Sequence, residues 1–507
     1  MWDTIVIGSG IGGLGAAAAL AKAGQRVLVL EQHTVAGGQT QTFRRGDWEF
    51  ATGVHYLGGC GPDPGAGGQF GRLLSWLSDG ALQFAPSANP YDIIRLPDGF
   101  AFGIPHPQTA YREALVARFP GEQVAIDGWF AAINEAQRAA MTLMMSHTLP
   151  PWLAWGLRLL RGGAVEQWLQ RTLADELSRI AHPQLRAVLG ARWGDYGAAP
   201  DQAPFIEHAI VTSSYDAGAW YPVGGPARFA QTLLPGVLAA GGECRLGARV
   251  HSIELQGGRA HGVRGQQDGR PFTAQARQVI SDIGLLPTLA CLEAGVAPQW
   301  QAAATSLQPG LGCIALYLGL EGDIAAAGAT SANEWVYETV DVGRVWRRPA
   351  DEDAPGFLVS FPSLKDPSWA GPPTAEVLAL VDVQAFAPWL REGASGGDYS
   401  AFKDWVAERL FAQFESHFPA LAQQVRFKEA ATPVTQQRYV GTPAGAMYGL
   451  EMSRERLDHE ALRLRTPVPG LLLTGQDVAG PGVQPSFMAG LMAAATVVPR
   501  LWREMGR

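Results

Sequence analysis

The first thirty residues alternate short apolar runs with turn residues in a way that predicts a β-α-β unit. Thr4 to Ile7 is a short, mostly β-branched apolar run, which is typical of a strand buried in a parallel sheet. The alanine-rich run from Leu14 to Ala23 predicts a helix, and Gly24 is expected to end it. Arg26 to Leu30 then predicts a second buried strand.

Farther along, helical periodicity dominates from about residue 76 to residue 221, and strands and helices mix after that. Tyr399 to Phe418 is amphipathic and stops before Pro419, so it predicts a surface helix. An apolar strand at Leu471 to Leu473 and a long apolar helix at Ser486 to Trp502 are predicted near the end. Other predicted elements are the helices Arg112–Phe119, Ile126–Met145, Trp168–Arg179, Pro183–Leu189 and Ala227–Ala240, and the strands Cys244–His251, Ala260–Arg264, Leu311–Leu320 and Gly356–Phe361.

Glycines occupy the turn between the first strand and the first helix in G-x-G-x-x-G spacing, at Gly8, Gly10 and Gly13. This spacing permits a tight turn, a close approach of a pyrophosphate to the backbone, and close packing of helix on strand. Phosphates are stabilised at such a helix N-terminus by free N–H groups and by the helix dipole. Glu31, after the second strand, is placed to accept hydrogen bonds from a ribose, and together these features predict a dinucleotide site.

Two further motifs indicate that the dinucleotide is FAD. Gly37 and Gly38 form a second glycine doublet shortly after Glu31, as in flavoproteins of the glutathione-reductase type. Near the other end of the chain, an apolar run leads into Gly475 and Asp477, which resembles the flavoprotein motif whose aspartate binds the ribityl chain.

Composition excludes several classes of protein. The chain has 507 residues, 47% of them hydrophobic and 17% charged, which predicts two to four globular domains and no extensive disorder. A net charge of −8 argues against nucleic acid as a partner. The four cysteines are scattered and the ten histidines show no ligand spacing, so neither disulfides nor a metal site is expected. The first predicted strand leaves no room for a cleavable leader, and we therefore expect a cytoplasmic protein.

The stretches VLEQHTVAGGQTQTF and GDWEFATGVHYLGG resemble the phytoene desaturase, carotenoid isomerase and retinol saturase superfamily of FAD enzymes, and most closely its retinol saturase branch. The resemblance implies an α/β fold in which a Rossmann-type, glutathione-reductase-like FAD-binding domain carries an inserted α+β substrate domain. Residues 1–75, 222–285 and 430–507 would form the FAD-binding domain, and residues 76–221 and 286–429 the substrate domain.

The same resemblance implies further contacts to FAD. Gln32 joins Glu31 at the end of the second strand, and the backbone of Val250 would contact the adenine. Val483 would bind the cofactor just before the last long helix, whose N-terminus would point at the pyrimidine end of the flavin. Gln39 differs from the arginine or small residue that many relatives carry after the glycine doublet, so contacts of that side chain to the phosphates are in question.

Residues near 143–171 are unusually apolar and rich in tryptophan, with Pro150 and Pro151 interrupting them. The interruption argues against a membrane span, which needs about twenty continuous apolar residues. Two interpretations stay open: a buried helix pair, or a patch that inserts into one leaflet and attaches the protein peripherally to the inner face of the membrane.

The chain contains no second dinucleotide motif, so electrons must be exchanged with an external donor or acceptor. His55 and Tyr56 are the candidates for a catalytic acid, since histidine side chains titrate near neutral pH, although His55 could instead only hold the loop over the flavin. We expect a saturase or desaturase that acts on C=C bonds of a long polyene, isoprenoid or fatty acid. Double-bond isomerisation, an amine-oxidase-like reaction and a non-catalytic lipid carrier with bound flavin are the alternatives. An amine site commonly has an aromatic cage near the flavin, and the sequence alone locates none.

Overall fold

The computed structural model describes residues 1–61, 68–148, 156, 163, 165–392 and 397–506. The strands, in chain order, are β1 (Trp2–Ile7), β2 (Val27–Leu30), β3 (Thr42–Arg45), β4 (Trp48–Ala51), β5 (Phe84–Pro86), β6 (Asp92–Leu96), β7 (Phe100–Ile104), β8 (Trp220–Pro222), β9 (Glu243–Arg245), β10 (Ala248–Gln256), β11 (Arg259–Gln267), β12 (Arg270–Ser281), β13 (Gly312–Leu320), β14 (Asn333–Tyr337), β15 (Gly356–Ser360), β16 (Thr374–Val381), β17 (Val425–Ala431) and β18 (Leu471–Leu473).

The helices of the described residues, in the same order, are α1 (Ile11–Lys22), α2 (Gln69–Leu77), α3 (Gln108–Arg118), α4 (Gln123–Thr148), α5 (Leu173–Leu177), α6 (Pro183–Gly190), α7 (Phe205–Ser214), α8 (Arg228–Ala239), α9 (Leu285–Ala290), α10 (Pro298–Ala304), α11 (Ala387–Glu392), α12 (Gly397–His417), α13 (Pro419–Ala422), α14 (Pro433–Val440), α15 (Arg454–Leu457), α16 (Gln476–Ala479), α17 (Val483–Val497) and α18 (Leu501–Met505).

A seven-stranded sheet is built around the predicted β-α-β unit. Strand β1 lies between β2 and β12 and runs parallel to both, and β9 and β18 extend the parallel set on either side. The antiparallel strands β10 and β11 continue from the first half of β12. Because β1, β2, β12 and β18 are parallel, their carboxyl ends meet at one edge, and this is the edge at which ligands bind in such sheets.

Helices α1 and α17 pack closely against each other beside this sheet. A Cβ atom added at Gly490 in α17 would overlap the carbonyl oxygen of Gly12 in α1 and lie 3.0 Å from the nitrogen of Ala16. The absence of a side chain at Gly490 therefore permits the close approach that also brings the N-terminus of α17 near the glycine-rich turn.

The second seven-stranded sheet has the order β17-β13-β16-β15-β14-β6-β7. Its strands come from distant parts of the chain, since β6 pairs in parallel with β14. Helices α4 and α7 lie against each other and share a hydrophobic core with one face of this sheet. Residues 149–155, 157–162 and 164 of the apolar segment near 143–171 lie outside the described residues. No helix in the described ranges combines the length and the apolar character needed to cross a bilayer.

Candidate active site

The turn after β1 shows why its glycines are needed. Gly8 has a φ of 95°, a conformation that residues with a Cβ rarely adopt, and its N–H donates to the carbonyl oxygen of Leu30 at 2.8 Å. A Cβ at Gly13 would overlap the carbonyl oxygen of Gly8, so this glycine allows α1 to pack on the turn. The geometry agrees with the roles assigned to the motif.

A cavity runs along this turn and the carboxyl ends of the neighbouring strands. The predicted cofactor-binding residues that line it are Gly8, Gly10, Glu31, Gln32, Gly38, Val250, Gly475, Asp477 and Val483. Gly13 and Gly37 do not line the cavity. Gly13 lies beneath the turn, and Gly37, with a φ of 124°, donates its N–H to the hydroxyl of Ser9 at 3.1 Å and shapes the loop.

Two carboxylates in this cavity fit the hydroxyl groups of a dinucleotide. One oxygen of Asp477 accepts the N–H of Leu285 at 2.8 Å, while the buried Oδ1 has no partner among the described residues. Glu31 accepts from the N–H and hydroxyl of Ser9 at 2.9 and 2.6 Å and from the N–H of His33 at 2.8 Å. Its orientation is thereby fixed, and Oε1, which accepts only the bond from His33, has a second acceptor direction. The residues present therefore fit FAD.

Asp282, at the end of β12, was not predicted as a site residue. Its carboxyl group lies against the glycine-rich turn, where a Cβ added at Gly10 would be 2.6 Å from Oδ2. Burial, together with the negative charges of Glu31 and Asp477, raises the pKa of Asp282 to about 8, against a backbone hydrogen bond from Gly13. The protonated acid is a hydrogen-bond donor, which is what a carboxyl group needs beside an incoming phosphate.

A second cavity, of about 430 Å³, adjoins the first and contains both predicted catalytic residues, His55 and Tyr56. The two cavities share Gly53, Tyr448, Gly482 and Val483. The second cavity is bounded by α4, α7 and the face of the second sheet, and many of its lining residues are apolar. Five aromatic side chains also line it, namely Tyr56, Phe70, Tyr215, Trp335 and Tyr448. This aromatic grouping was not predictable from the sequence, because its members come from separate parts of the chain.

His55 is buried, and its surroundings fix its main chain more tightly than its ring. Its carbonyl oxygen accepts a hydrogen bond from the Nζ of Lys365 at 2.7 Å. Its Nδ1 lies 2.8 Å from Oε2 of Glu376, without the angles of a hydrogen bond, and its Nε2 has no partner among the described residues. The ring therefore retains hydrogen-bonding capacity for a molecule that enters the cavity.

Lys365 is a buried cation that holds this segment in place. Besides the His55 carbonyl, its ammonium donates to the hydroxyl of Ser360 at 2.7 Å and to the side-chain oxygen of Asn333. Burial lowers the pKa of Lys365 to about 7, although the charges of Glu376 and Asp92 raise it.

Tyr56 connects the second cavity to two buried acids. Its hydroxyl lies 3.2 and 3.3 Å from the carboxylate oxygens of Asp195 and 3.4 Å from Asp92. Burial raises the pKa of Asp195 to about 7, with a further rise from Asp92, and raises that of Asp92 to about 6, against the charge of Arg192. Burial also keeps the pKa of Tyr56 well above its usual value, so the hydroxyl stays protonated. The arrangement can hold a proton at the cavity wall near neutral pH.

The comparisons with known proteins decide the family. Residues 6–70 match the model of NAD(P)-binding Rossmann-like domains, and residues 130–498 match that of flavin-containing amine oxidoreductases. The chain is 33% identical to human all-trans-retinol 13,14-reductase over 98% of its own length and 86% of that protein. The chain belongs to the flavin-containing amine oxidoreductase family.

Within this family of flavoproteins the chain is a member of the phytoene desaturase, carotenoid isomerase and retinol saturase superfamily, as the opening motifs predicted. It is 26% identical to the chloroplastic prolycopene isomerase of Arabidopsis thaliana, over 99% of the chain and 84% of that protein. Membership makes it an FAD-dependent oxidoreductase.

Two solved structures share the fold. Cyclohexylamine oxidase from Brevibacterium oxydans superposes with a TM-score of 0.62 at 17% identity, covering 99% of this chain and 100% of that one. An oxidoreductase from Methanosarcina mazei gives 0.63 at 16% identity, covering 96% and 99%.

Proposed function

We propose that this flavoenzyme adds or removes hydrogen across a C=C bond of a long hydrophobic polyene or isoprenoid, with saturation as the favoured direction. The observation that carries the proposal is the largely apolar cavity of about 430 Å³ that adjoins the cofactor cavity and contains His55 and Tyr56. The relatives named as retinol reductases and prolycopene isomerases act, by those names, on polyenes.

The proposal assigns the cofactor site to the residues predicted from the sequence. FAD would be held by Gly8, Gly10, Gly13, Glu31, Gln32, Gly37, Gly38, Val250, Gly475, Asp477 and Val483. In support, most of them line one cavity at the carboxyl edge of the parallel strands. We also propose that residues 1–75, 222–285 and 430–507 form the FAD-binding domain and that residues 76–221 and 286–429 form the substrate domain.

Bound FAD supplies a two-electron acceptor and donor at its ring. Hydrogenation of a C=C bond also requires a proton, which this chain has to deliver. Tyr56 is the stronger of the two predicted candidates, because its hydroxyl contacts Asp195 and Asp92, which can replace the proton that it gives up. His55 has an unpartnered Nε2 and is the second candidate.

Product mass identifies the reaction. Purified holoprotein is photoreduced without oxygen, mixed with all-trans-retinol or lycopene, and the extracted lipid is analysed by mass spectrometry. A gain of two hydrogens with reoxidation of the flavin supports a saturase. Desaturation would appear as a loss of two hydrogens with oxidised enzyme, and isomerisation as unchanged mass with altered retention. An unchanged polyene in all three experiments would refute the proposal, and Tyr56→Phe is the variant expected to lose the mass change. A zebrafish relative is named an inactive reductase, so a binding measurement alone is not sufficient.

The aromatic residues around the second cavity favour one other function, oxidation of an amine. Tyr56, Tyr215, Trp335 and Tyr448 line the cavity together with the acids Asp195 and Glu207. Aromatic faces and carboxylates both attract a cationic ammonium group. Hydrogen peroxide formation with a panel of primary amines, but not with polyenes, would support this second function.

Two partners belong to the proposal as well. An external protein, quinone or nicotinamide would exchange electrons with the flavin. Peripheral attachment to the inner face of a membrane would deliver an apolar substrate, and the tryptophan-rich sequence near 143–171 supports it. Co-flotation with liposomes, compared with a variant whose tryptophans at 152 and 155 are replaced by serine, tests the attachment.

A further inference from the structure

Glu207 is an acidic residue on the wall of the second cavity that has no part in the proton delivery proposed above for Tyr56 and His55. It lies on α7, whose residues Glu207, Ile210, Val211 and Ser214 all line the cavity. Their spacing places them on one face of the helix. Only 4% of the Glu207 surface is exposed, so its carboxyl group is almost completely removed from solvent.

The Glu207 carboxyl has no hydrogen bond and no ion pair with any residue in the described ranges. Glu207 also lines a smaller neighbouring cavity, and the apolar residues Ala140, Ile210 and Ala479 line both cavities with it, while Arg456 and Asp477 line the smaller one. The cation that influences it most, Arg456, donates its hydrogen bonds to the carbonyl oxygens of Leu450 and Gln476 instead.

Asp195, the other acid that lines this cavity, is in a different situation, because the hydroxyl of Tyr56 contacts both of its oxygens. A buried polar group without a partner is uncommon in native proteins, since it loses its hydration without a compensating bond. Of the two acids in this wall, Glu207 is therefore the one whose hydrogen-bonding capacity is left for a ligand.

Burial raises the pKa of Glu207 to about 7, against the charge of Arg456. A carboxylic acid in its protonated form has one O–H donor and an acceptor oxygen. An alcohol matches both, whereas a pure hydrocarbon matches neither and leaves the acid unpaired.

We propose that Glu207 binds the oxygen-bearing end of the substrate, so that the enzyme selects a polyene that ends in a hydroxyl group over the corresponding hydrocarbon. The inference rests on the proposed function and adds to it the substrate class and the residue that determines it. Glu207 acts here in recognition, while the proton is delivered from the Tyr56 side of the cavity.

Binding to the oxidised holoprotein tests the proposal without turnover. Quenching of tryptophan fluorescence, to which Trp335 in the cavity wall contributes, gives the Kd of all-trans-retinol and of the hydrocarbon in which hydrogen replaces the hydroxyl. The wild-type protein is expected to bind the alcohol about tenfold more tightly, the ratio that one net hydrogen bond provides. Glu207→Leu should remove that ratio by weakening the alcohol alone. Glu207→Gln, which keeps a donor and an acceptor, should retain most of it.

Ser214→Ala is the matched control, because Ser214 lies on the same face of α7 and its hydroxyl already donates to the carbonyl oxygen of Val211 at 2.7 Å. It should keep the wild-type ratio. The flavin absorbance of each variant verifies folding, and the ratio of the two Kd values of the wild-type protein still tests the proposal if Glu207→Leu is unstable.

The inference would be overturned if the wild-type protein bound the alcohol and the hydrocarbon with equal affinity. It would also be overturned if Glu207→Leu changed the Kd of the alcohol and that of the hydrocarbon by the same factor. A fall in kcat with unchanged KM for Glu207→Gln would also overturn it, in favour of a chemical step at Glu207. If the wild-type protein binds neither polyene, the proposed function itself fails, which is distinguishable from the loss of selectivity alone.

Discussion

The unpaired carboxyl of Glu207 predicts a stability effect that depends on pH. Its pKa rises from the usual 4.5 to about 7 in the folded protein because of burial. A carboxyl whose pKa is raised by folding destabilises the folded state when it ionises. The contribution of the neutral Glu207 carboxyl to the free energy of unfolding is complete below pH 4.5 and is lost as the pH rises through about 7. Since each pKa unit corresponds to about 1.4 kcal/mol, the full loss is about 3 kcal/mol.

The perturbation that isolates this effect is Glu207→Gln, which keeps the size of the side chain and removes its titration. We expect the variant and the wild-type protein to be similarly stable at pH 5. At pH 8.5 the variant should be more stable by about 3 kcal/mol, which corresponds to a Tm higher by roughly 5 °C in a chain of this size. Both proteins contain the other buried acids, so the contributions of those acids cancel in the difference between the two free energies of unfolding.

Thermal unfolding is followed by tryptophan fluorescence from pH 5 to pH 8.5, with flavin release recorded in parallel. Glu113→Gln is the control, since Glu113 is on the exposed side of α3 and its charge is solvated in the folded and unfolded chain. Its Tm difference from the wild-type protein should not change with pH. A Glu207→Gln variant that is less stable than the wild-type protein at pH 8.5 would refute the reasoning, because it would mean that the carboxylate is paired in solution.

Four further outcomes are expected. Gly10→Val should give colourless protein, because even the first added carbon would lie 2.6 Å from Asp282; full flavin absorbance would contradict the placement of the pyrophosphate. Gly490→Ala should lower the Tm and the flavin content, since its Cβ would overlap the backbone of α1, whereas Gly236→Ala on α8 has open space and should raise the Tm slightly. Lys365→Met leaves three acceptor oxygens unsatisfied, including the His55 carbonyl, and should cost about 3 kcal/mol or more in the free energy of unfolding, measured in urea. The rate of polyene saturation should fall as the pH rises through about 7, where Asp195 loses its proton. If the enzyme instead desaturates the polyene with Asp195 as the base, the turnover rate should rise over the same pH range.

The cofactor cavity was predictable from sequence because its determinants are local. The turn at Gly8 and Gly10, the strand that follows α1 and the acid at its end are specified within about thirty residues, and parallel pairing then aligns the strand ends. Asp282 was missed although it also follows a strand of this sheet. The sequence gives no sign that its carboxyl turns back against the glycines.

Element boundaries were less accurate, for reasons that the structure makes clear. The last long helix was predicted from Ser486, after Pro485, but α17 begins at Val483. Proline is accepted in the first turn of a helix, where its missing N–H has no partner to lose, so it did not mark the boundary. The helix predicted over Trp168–Arg179 is interrupted in the structure: residues 165–169 are helical, and α5, Leu173–Leu177, begins separately where Thr172 and Asp175 form a capping box.

The second cavity was beyond sequence reasoning because it depends on long-range packing. Tyr56 follows β4, Asp92 begins β6 and Asp195 lies just after α6. Only the folded chain brings carboxylate oxygens of both acids within 3.4 Å of the tyrosine hydroxyl. Spacing along the chain contains no record of that contact. The aromatic grouping around the cavity is hidden for the same reason.

Burial of the acids in the second cavity links the class of substrate to the supply of protons. A chamber that admits a polyene has to be largely uncharged, because an ionised group beside a hydrocarbon chain is poorly solvated. The same desolvation raises the pKa of Asp195 and of Glu207 to about 7. Below that pH both acids are therefore largely neutral, just where an apolar substrate would lie. A neutral acid at the cavity wall is at once compatible with a hydrocarbon chain and able to give up a proton or bind a hydroxyl. An apolar chamber and a local supply of protons are therefore two results of one cause, and a substitution that opened the chamber to water would weaken both together.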